Sequence, residues 1–474
     1  MKTSALKLFL LVCLFALGAS MAEAKGKQAK YIFYLISDGT GVNTFLGAEM
    51  MRAELNGSIG YVPFVASQFP VRGLATTYSA DKGITDSAAS GTALATGNKT
   101  KNGMIGENPD SADVTSIAQW AKDAGARVGV ATSVCMNHAT PASFYAHEHS
   151  RNNYFNIGVD MIESGFDFYG ASDFHKPNGN NTNLYAISEK GGYTIARGID
   201  DYNKKVKDSK KMILFQTQEC SDIDTYSLPY YIDAKPGQLT VAQMMKAQLD
   251  FLYDNSKNGF LLVNEIGGKV DFACHANDAA TAFKELEIVD SCMAIAFEFY
   301  KNHPDETLIV LTSDHETGGL VLATRKGGSA LNLKVLANQK CSQDNLTRAM
   351  QALRSKTNNK VEWEQIKELL SSQLGFWGEV KLSKQDEDKL KAVYNNSFVG
   401  KMPNEKNLYS SSEPMAAEAI RIINAKANIS WSTGGHSAGF VPVYACGVGA
   451  EEFTGLNDNA TIPLKIAKIA GYKK

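Results

Sequence analysis

Four short, strongly apolar runs recur along the chain, and stretches with helical periodicity lie between them. The runs are YIFYLIS (31–37), RVGVATSV (127–134), GFLLVNE (259–265) and TLIVLTS (307–313). Apolar runs of this kind are typical of parallel strands that are buried on both faces of a sheet. Helical patterns cover 241–255, which leads directly into the third run, and 279–302. The alternation predicts an α/β fold with a doubly wound, mainly parallel sheet flanked by helices.

The length of 474 residues exceeds the size at which a single core usually stops growing. Between about 324 and 430 the sequence becomes rich in Lys, Gln, Asn and Ser, with helical patterns at 361–375 and 383–397. We interpret this stretch as a cap inserted into one large domain, 25–474. The formal net charge is only −2, and no basic run carries interleaved aromatic residues, so a nucleic-acid-binding surface is not expected.

The N-terminus has the pattern of a secretory signal peptide. Lys2 and Lys7 precede the apolar run 8–18, and the small residues of AEA (22–24) follow it. This predicts a signal peptide over 1–24 and an extracytoplasmic location, periplasmic or secreted. The run is too short to span a bilayer comfortably. Six cysteines remain after residue 24 and none forms a C-x-x-C pair, so no specific disulfide is predicted.

Acidic residues follow the predicted strands. Asp38 comes directly after the first run, Glu265 ends the third, and Asp314 and His315 follow the fourth. A single Asp-Gly after a strand is usually only a turn. Ligands of open parallel sheets, however, bind beyond the carboxyl ends of the strands. The repetition therefore favours a site at which these acids converge.

Histidines accompany these acids. Asp271 and His275 are four residues apart, so both can bind one ion if the segment is helical, and His436 lies in STGGHSAG. Mixed carboxylate and imidazole sets suit Zn²⁺, whereas oxygen-only sets suit Mg²⁺. His138, which precedes Thr140-Pro141 after another predicted strand, is a further candidate. The sequence thus predicts a metal site.

The stretch ITDSAASGTALATG (84–97) has two interpretations. It can be a small-residue helix packed closely under the sheet, with Thr85 or Asp86 as N-cap. Alternatively, Ser87 is a nucleophile at a helix N-terminus, where free N–H groups favour negative charge. Two cations about 4 Å apart would suit in-line phosphoryl transfer to an activated serine. Arg151 could then hold two phosphoryl oxygens, although a lone arginine more often makes a surface ion pair.

Six motifs in order resemble those of the alkaline phosphatase family. They are a strand followed by Asp-Gly, the stretch TDSAASGTALATG, the tripeptide Ala-Thr-Pro (139–141) followed by Arg151, E…D-x-x-x-H, TSDHETGG and GGHS. Together they extend from about Ile32 to Gly447, outside the insertion. The resemblance implies a bacterial, secreted, metal-dependent phosphomonoesterase with an alkaline-phosphatase-like fold. Its catalytic domain would be 25–474, its substrates small-molecule phosphate monoesters, its product inorganic phosphate, and a homodimer is possible.

The resemblance also implies roles for particular residues. Ser87 would form a phosphoserine intermediate in a double displacement, and Arg151 would bind the phosphoryl oxygens. Two Zn²⁺ and one Mg²⁺ would be the cofactors. One zinc would be held by Asp271, His275 and His436, the second by Asp38, Asp314 and His315 with the Ser87 oxygen, and the magnesium by Asp38, Thr140 and Glu265.

One spacing departs from the family pattern. The segment NEIGGKVD separates Glu265 from Asp271 by one residue more than the common family arrangement, so either the strand end bulges or Glu265 is displaced. Related enzymes that cleave phosphodiesters or sulfate esters are the rival interpretation. The C/S-x-P-S-R context of sulfatases is absent around Ser87, and many diesterase relatives use threonine as nucleophile. An extracytoplasmic binding protein for metal or phosphate is the rival outside enzymes.

Overall fold

The computed structural model describes residues 28–179, 181–254, 256–324 and 328–474; the predicted signal peptide lies outside the described residues. Its main element is a ten-stranded sheet. In chain order the strands are β1 Tyr31–Ile36, β2 Val71–Thr76, β3 Arg127–Thr132, β4 Phe168–Ala171, β5 Thr194–Arg197, β6 Met212–Phe215, β7 Phe260–Glu265, β8 Thr307–Thr312, β9 Val441–Gly447 and β10 Gly455–Asp458.

Helices connect these strands. They are α1 Val42–Leu55, α2 Ser87–Thr96, α3 Ile117–Asp123, α4 Ala139–Ala142, α5 Tyr154–Ser164, α6 Leu184–Lys190, α7 Gly198–Lys205, α8 Gln218–Ser221, α9 Val241–Asp254, α10 Gly268–His275, α11 Ala279–Asn302, α12 Gln343–Lys356, α13 Trp363–Leu374, α14 Lys384–Tyr394, α15 Pro414–Lys426 and α16 Ile462–Ala470. In the described part of the chain, no helix combines the length and apolar character needed to cross a bilayer.

The strand order across the sheet is β10-β2-β9-β8-β1-β7-β3-β4-β6-β5. Every neighbouring pair is parallel except the two that β9 makes with β8 and β2. The four apolar runs form the adjacent central strands β8, β1, β7 and β3. The predicted doubly wound, mainly parallel sheet is therefore confirmed.

The central strands are buried on both faces. Along β1, Tyr31, Phe33 and Leu35 join one hydrophobic cluster, while Ile32, Tyr34 and Ile36 join a second cluster on the other face. This explains why the run shows no apolar–polar alternation. Polar side chains of the central strands lie mainly at their carboxyl ends.

The segment 324–430 contains α12 to α15 and several short turns. The buried side chains of these helices, including Leu346, Ile366, Leu370 and Leu390, belong to the first hydrophobic cluster. A two-residue hairpin, Glu405–Lys406 with Ser411–Ser412, lies between α14 and α15. The six cysteines of the described chain are all free and buried.

Candidate metal and phosphate site

Ser87 is the first residue of α2. Asp86 is the N-cap, and its carboxylate accepts a hydrogen bond from the backbone N–H of Ala89 at 3.0 Å. Ser87 is fully buried, and its Oγ lies 3.1 Å from Nε2 of His315, just beyond the end of β8. The structure confirms the first interpretation of the small-residue stretch, because α2 is a buried helix with Asp86 as its N-cap. Its first residue, Ser87, faces the ends of the strands, and its role as a nucleophile stays a prediction.

The small residues of α2 allow it to approach α4, the short helix that carries Thr140. A Cβ on Gly91 would lie 2.6 Å from Ser143 Oγ and 3.3 Å from the Thr140 Cα. A larger side chain at this position would push the two helices apart. Close packing of α2 on α4 thus brings Ser87 and Thr140 to the same edge of the sheet.

The central strands bring the predicted acids together. His315 Nε2 lies 3.4 Å from Asp38 Oδ1 and 3.2 Å from Asp314 Oδ2. Thr140 Oγ1 lies 3.4 Å from the second oxygen of Asp38. Asp38, Asp314 and His315 form one buried cluster in which a potential ligand atom of each lies within 4.8 Å of the others.

A second cluster is built on α10. Asp271 and His275 lie one turn apart on this helix, as predicted, with the carboxylate 3.5 Å from the imidazole. His436 Nε2 lies 3.1 Å from His275 Nε2, and it also forms a compact group with Asp271 and His315. His436 reaches this place because His436–Ser437 pairs with Glu316–Thr317 as a short antiparallel ladder.

The imidazoles of these two clusters are oriented by hydrogen bonds from Nδ1. His275 Nδ1 donates to the Gly434 carbonyl at 2.7 Å, and His436 Nδ1 donates to the Thr85 carbonyl at 2.8 Å. His315 Nδ1 lies 3.2 Å from Thr317 Oγ1, whose own proton goes to the Asp271 carboxylate. Since Nδ1 carries the proton in each ring, the Nε2 lone pairs face inward, as metal-ligating histidines require.

Glu265 forms a third cluster with Asp38 and His138. It is the last residue of β7, in register with Ile36 and Thr132, and its carboxylate accepts a hydrogen bond from the Thr132 hydroxyl. The end of β7 therefore shows no bulge in its pairing with β1 and β3, and the segment between Glu265 and Asp271 forms a turn and the first residues of α10. The sequence singled out His138 without giving it a role. The structure adds it to this cluster.

Burial shifts the titration of these groups strongly. Burial, together with the nearby charges of Asp314, Asp271 and Glu265, raises the pKa of Asp38 well above its ordinary value. Burial also raises the pKa of Glu265 and of Asp314 to about 7. Burial and the neighbouring histidines lower the pKa of His315 well below its ordinary value. These shifts favour the protonated carboxyls of Asp38, Glu265 and Asp314 and the neutral imidazole of His315.

These features fit metal binding. One carboxylate oxygen each of Asp38, Glu265 and Asp271 is buried and accepts no hydrogen bond from any described residue. Leaving such oxygens unpaired in a protein interior is costly, whereas a cation would satisfy them and relieve the mutual repulsion of the carboxylates. The mixed oxygen and nitrogen donors suit Zn²⁺ or a similar ion.

Arg151 completes the set of predicted residues. Its Nη1 donates to Asp86 Oδ2 at 3.1 Å, beside Ser87, and its Nη2 donates to His138 Nε2 at 3.2 Å. The ten residues to which the resemblance assigns a role therefore lie in one connected group with His138. His147 and His149, which share an H-x-H pattern, are instead exposed.

Comparison with known proteins identifies the family to which the chain belongs. The family description "Alkaline phosphatase" matches residues 29–180 and 204–472, which is most of the chain. The chain belongs to the alkaline phosphatase family. Alkaline phosphatase 3 of Bacillus subtilis (strain 168) is 27% identical over 472 residues, covering 96% of this chain and 92% of that protein.

Solved alkaline phosphatases share the fold. The cold-active alkaline phosphatase of the psychrophile Shewanella sp. superimposes with a TM-score of 0.77 at 26% identity, covering 93% of this chain and 99% of that chain. A mutant of the alkaline phosphatase from the Antarctic bacterium TAB5, solved with Mg bound in its M3 site, gives a TM-score of 0.66 at 24% identity, covering 95% and 100%. Family and fold together identify the chain as an alkaline phosphatase-type enzyme and support hydrolysis of phosphate monoesters.

Proposed function

We propose that the enzyme hydrolyses phosphate monoesters through a phosphoserine on Ser87, at a site with two Zn²⁺ and a third metal ion. The observation that supports this most directly is the position of Ser87. Its hydroxyl lies at a helix N-terminus, 3.1 Å from His315 Nε2, and His315 in turn contacts the carboxylates of Asp38 and Asp314. A serine placed in this way is suited to nucleophilic attack.

The family resemblance, together with the contacts among these side chains, suggests how the ions are held. Asp271, His275 and His436 would hold one zinc; Asp38, Asp314 and His315 would hold the second beside Ser87; and Asp38, Thr140 and Glu265 would hold the third ion, Mg²⁺. The bound ions would supply Lewis-acid chemistry, lowering the pKa of coordinated oxygens and neutralising charge on the phosphoryl group.

The residues of the chain then act in two steps. Arg151 binds two phosphoryl oxygens while the Ser87 oxygen, having lost its proton to solvent, attacks phosphorus. The P–O bond to the alcohol breaks, and the departing alkoxide takes up a proton. A water molecule then attacks the phosphoserine, which releases inorganic phosphate and restores the Ser87 hydroxyl. Asp86 keeps the guanidinium beside the nucleophile through both steps.

The test compares hydrolysis of a nitrophenyl phosphate monoester, the corresponding diester and the corresponding sulfate. We expect activity on the monoester that is lost on chelation and regained with zinc. Preference for the diester or the sulfate would overturn the substrate class. Rapid acid quench during turnover, followed by mass spectrometry, should find one phosphoryl group on the peptide that contains Ser87.

The Ser87→Ala variant separates an enzyme from a binding protein. We expect it to lose turnover and the labelled peptide while still binding zinc, because the ligands proposed from the protein's other side chains remain. Unchanged turnover would exclude Ser87 as the nucleophile. No activity of the wild type in any metal state, together with phosphate binding, would favour the binding-protein interpretation.

We also propose that residues 1–24 direct export and are removed. The support is the sequence pattern of two lysines, an apolar run and small residues before Lys25. N-terminal sequencing of the exported protein should begin at Lys25. A mature protein that retains the apolar run would contradict this proposal.

A further inference from the structure

The segment 324–430 reaches the site with one aromatic side chain, Tyr409. This residue lies in the loop of the hairpin Glu405–Lys406 and Ser411–Ser412. The Asn407 side-chain oxygen accepts hydrogen bonds from the backbone N–H groups of Tyr409 at 3.0 Å and Ser410 at 2.6 Å. These hydrogen bonds stabilise the turn and fix the backbone of Tyr409, and with it the orientation of its side chain.

The Tyr409 ring packs beside the cluster on α10. It stacks on Phe272, the residue after Asp271, with ring centroids 4.0 Å apart and planes inclined by 22°. It also meets His275 edge-on at 5.1 Å and His138 at 5.9 Å. The ring therefore lies beside the residues that are proposed to hold one zinc, Asp271, His275 and His436.

The Tyr409 hydroxyl contacts the predicted phosphate-binding arginine. Arg151 Nη2 donates to Tyr409 Oη at 3.4 Å, in addition to its contact with His138, while Nη1 is held by Asp86. The guanidinium is thus held from opposite sides by α2 and by the segment 324–430. A guanidinium that is already oriented loses less freedom when it binds a phosphoryl group.

Tyr409 also forms a wall of a separate cavity. This cavity has a volume of about 550 Å³ and is lined by Tyr226, Phe272 and Tyr409 on one side and by Lys269 and Arg348 among its polar residues. Arg151, His138 and His275 touch Tyr409 but do not line the cavity. The Tyr409 ring therefore stands between the phosphate site and the cavity.

We propose that Tyr409 is a positioning residue: its hydroxyl orients Arg151 for the phosphoryl group, and its ring bounds the space available to the leaving group. This inference rests on the proposed function of Ser87 and Arg151. It links the segment 324–430 to phosphate binding through Arg151, which a residue of that segment contacts.

The experiment is a double-mutant cycle on the zinc-loaded enzyme, with inorganic phosphate as the probe. Tyr409→Phe keeps the stacked ring and removes only the hydroxyl. We expect it to raise the inhibition constant of phosphate and the KM of nitrophenyl phosphate about three- to tenfold, with a smaller change in kcat. In the Arg151→Ala background, Tyr409→Phe should change neither constant, because the group it positions is absent.

Two further variants complete the test. Leu408→Ala changes the neighbouring residue of the same loop, whose side chain is 60% exposed, and should leave both constants unchanged. Tyr409→Leu removes the ring and should lower the KM of a naphthyl phosphate relative to that of a small alkyl phosphate, since the wall towards the cavity is lost.

An unchanged phosphate inhibition constant in Tyr409→Phe would overturn the inference. It would also be overturned if Tyr409→Phe raised this constant equally in the wild-type and Arg151→Ala backgrounds. These outcomes are distinct from failure of the proposed function, which would appear as the absence of phosphoserine on Ser87 in the wild type.

Discussion

At the scale of single residues, the site depends on side chains that orient the imidazoles as much as on the imidazoles themselves. Thr317 illustrates this, because its hydroxyl donates to Asp271 and lies 3.2 Å from His315 Nδ1. One hydroxyl proton serves only one acceptor, so the Nδ1 proton of His315 must point towards Thr317. This fixes the His315 tautomer that leaves Nε2 free for a metal.

We predict that Thr317→Val weakens zinc binding about 10- to 100-fold while the fold is kept, because valine has nearly the same shape but orients neither ligand. Activity measured against buffered free zinc should shift to higher concentrations and recover at saturation. Thr454→Val, on the exposed surface, is the matched control. An unshifted zinc titration would show that Thr317 does not orient the ligands.

At the scale of elements, α2 combines a structural cap with an electrostatic contact. The Asp86 carboxylate caps the helix by accepting from Ala89, and it also pairs with Arg151. Asparagine caps a helix as well as aspartate does but carries no charge. The two roles can therefore be separated by two substitutions at one position.

We predict that Asp86→Ala costs about 1 kcal/mol of unfolding free energy, whereas Asp86→Asn costs much less. Both variants should raise the inhibition constant of phosphate, because Arg151 loses its ion-pair partner. Urea unfolding and phosphate inhibition measure the two effects. Equal stability of the alanine and asparagine variants would contradict the capping role.

The contact between α2 and α4 gives a further prediction. Gly91→Val should destabilise the protein by about 1–3 kcal/mol and lower activity, because the new side chain meets Ser143 and the backbone of Thr140. Gly83→Val is the control, because this residue lies just before the stretch 84–97 and no atom lies within 4 Å of the new Cβ. Similar thermal midpoints for the two variants would argue against close packing at Gly91.

The elements differ in how well the sequence predicts them. The central strands β1, β3, β7 and β8 were predicted because burial on both faces requires continuous apolar runs. The sequence does not predict strand β9, because it contains Pro442 and proline is unusual within a sheet. This strand also runs antiparallel to both of its neighbours. The four-residue strands β4, β5 and β6 are too short to show a pattern.

At the scale of the whole molecule, the candidate site unites residues that are far apart in sequence. Asp38, Glu265 and Asp314 could be predicted to converge because parallel strands end at one edge of a sheet. The position of Tyr409 at the site could not be predicted, because this residue comes from a polar loop without periodicity. His138 gave a weak signal only, because its contact with Asp38 and Glu265 depends on the turn after β3.

The buried carboxylates of the site also link metal binding to the free energy of unfolding of the whole protein. Glu265 and Asp314 have ordinary pKa values of 4.5 and 3.8, and burial raises the pKa of each to about 7. The metal-free folded protein therefore retains protons that the unfolded chain releases. The contribution of these carboxyls to stability is present at acidic pH and is lost as the pH rises through about 7.

Cations compete with these protons for the same oxygens, so they should stabilise the protein more at alkaline pH. We predict that the difference in thermal midpoint between zinc-loaded and chelator-treated protein is larger at about pH 8.5 than at about pH 6. Calorimetry at constant ionic strength measures both midpoints. Glu265→Gln, which removes one titrating group, should reduce the dependence on pH. A midpoint difference that is the same at both pH values would mean that protons do not compete with metal at the buried carboxylates.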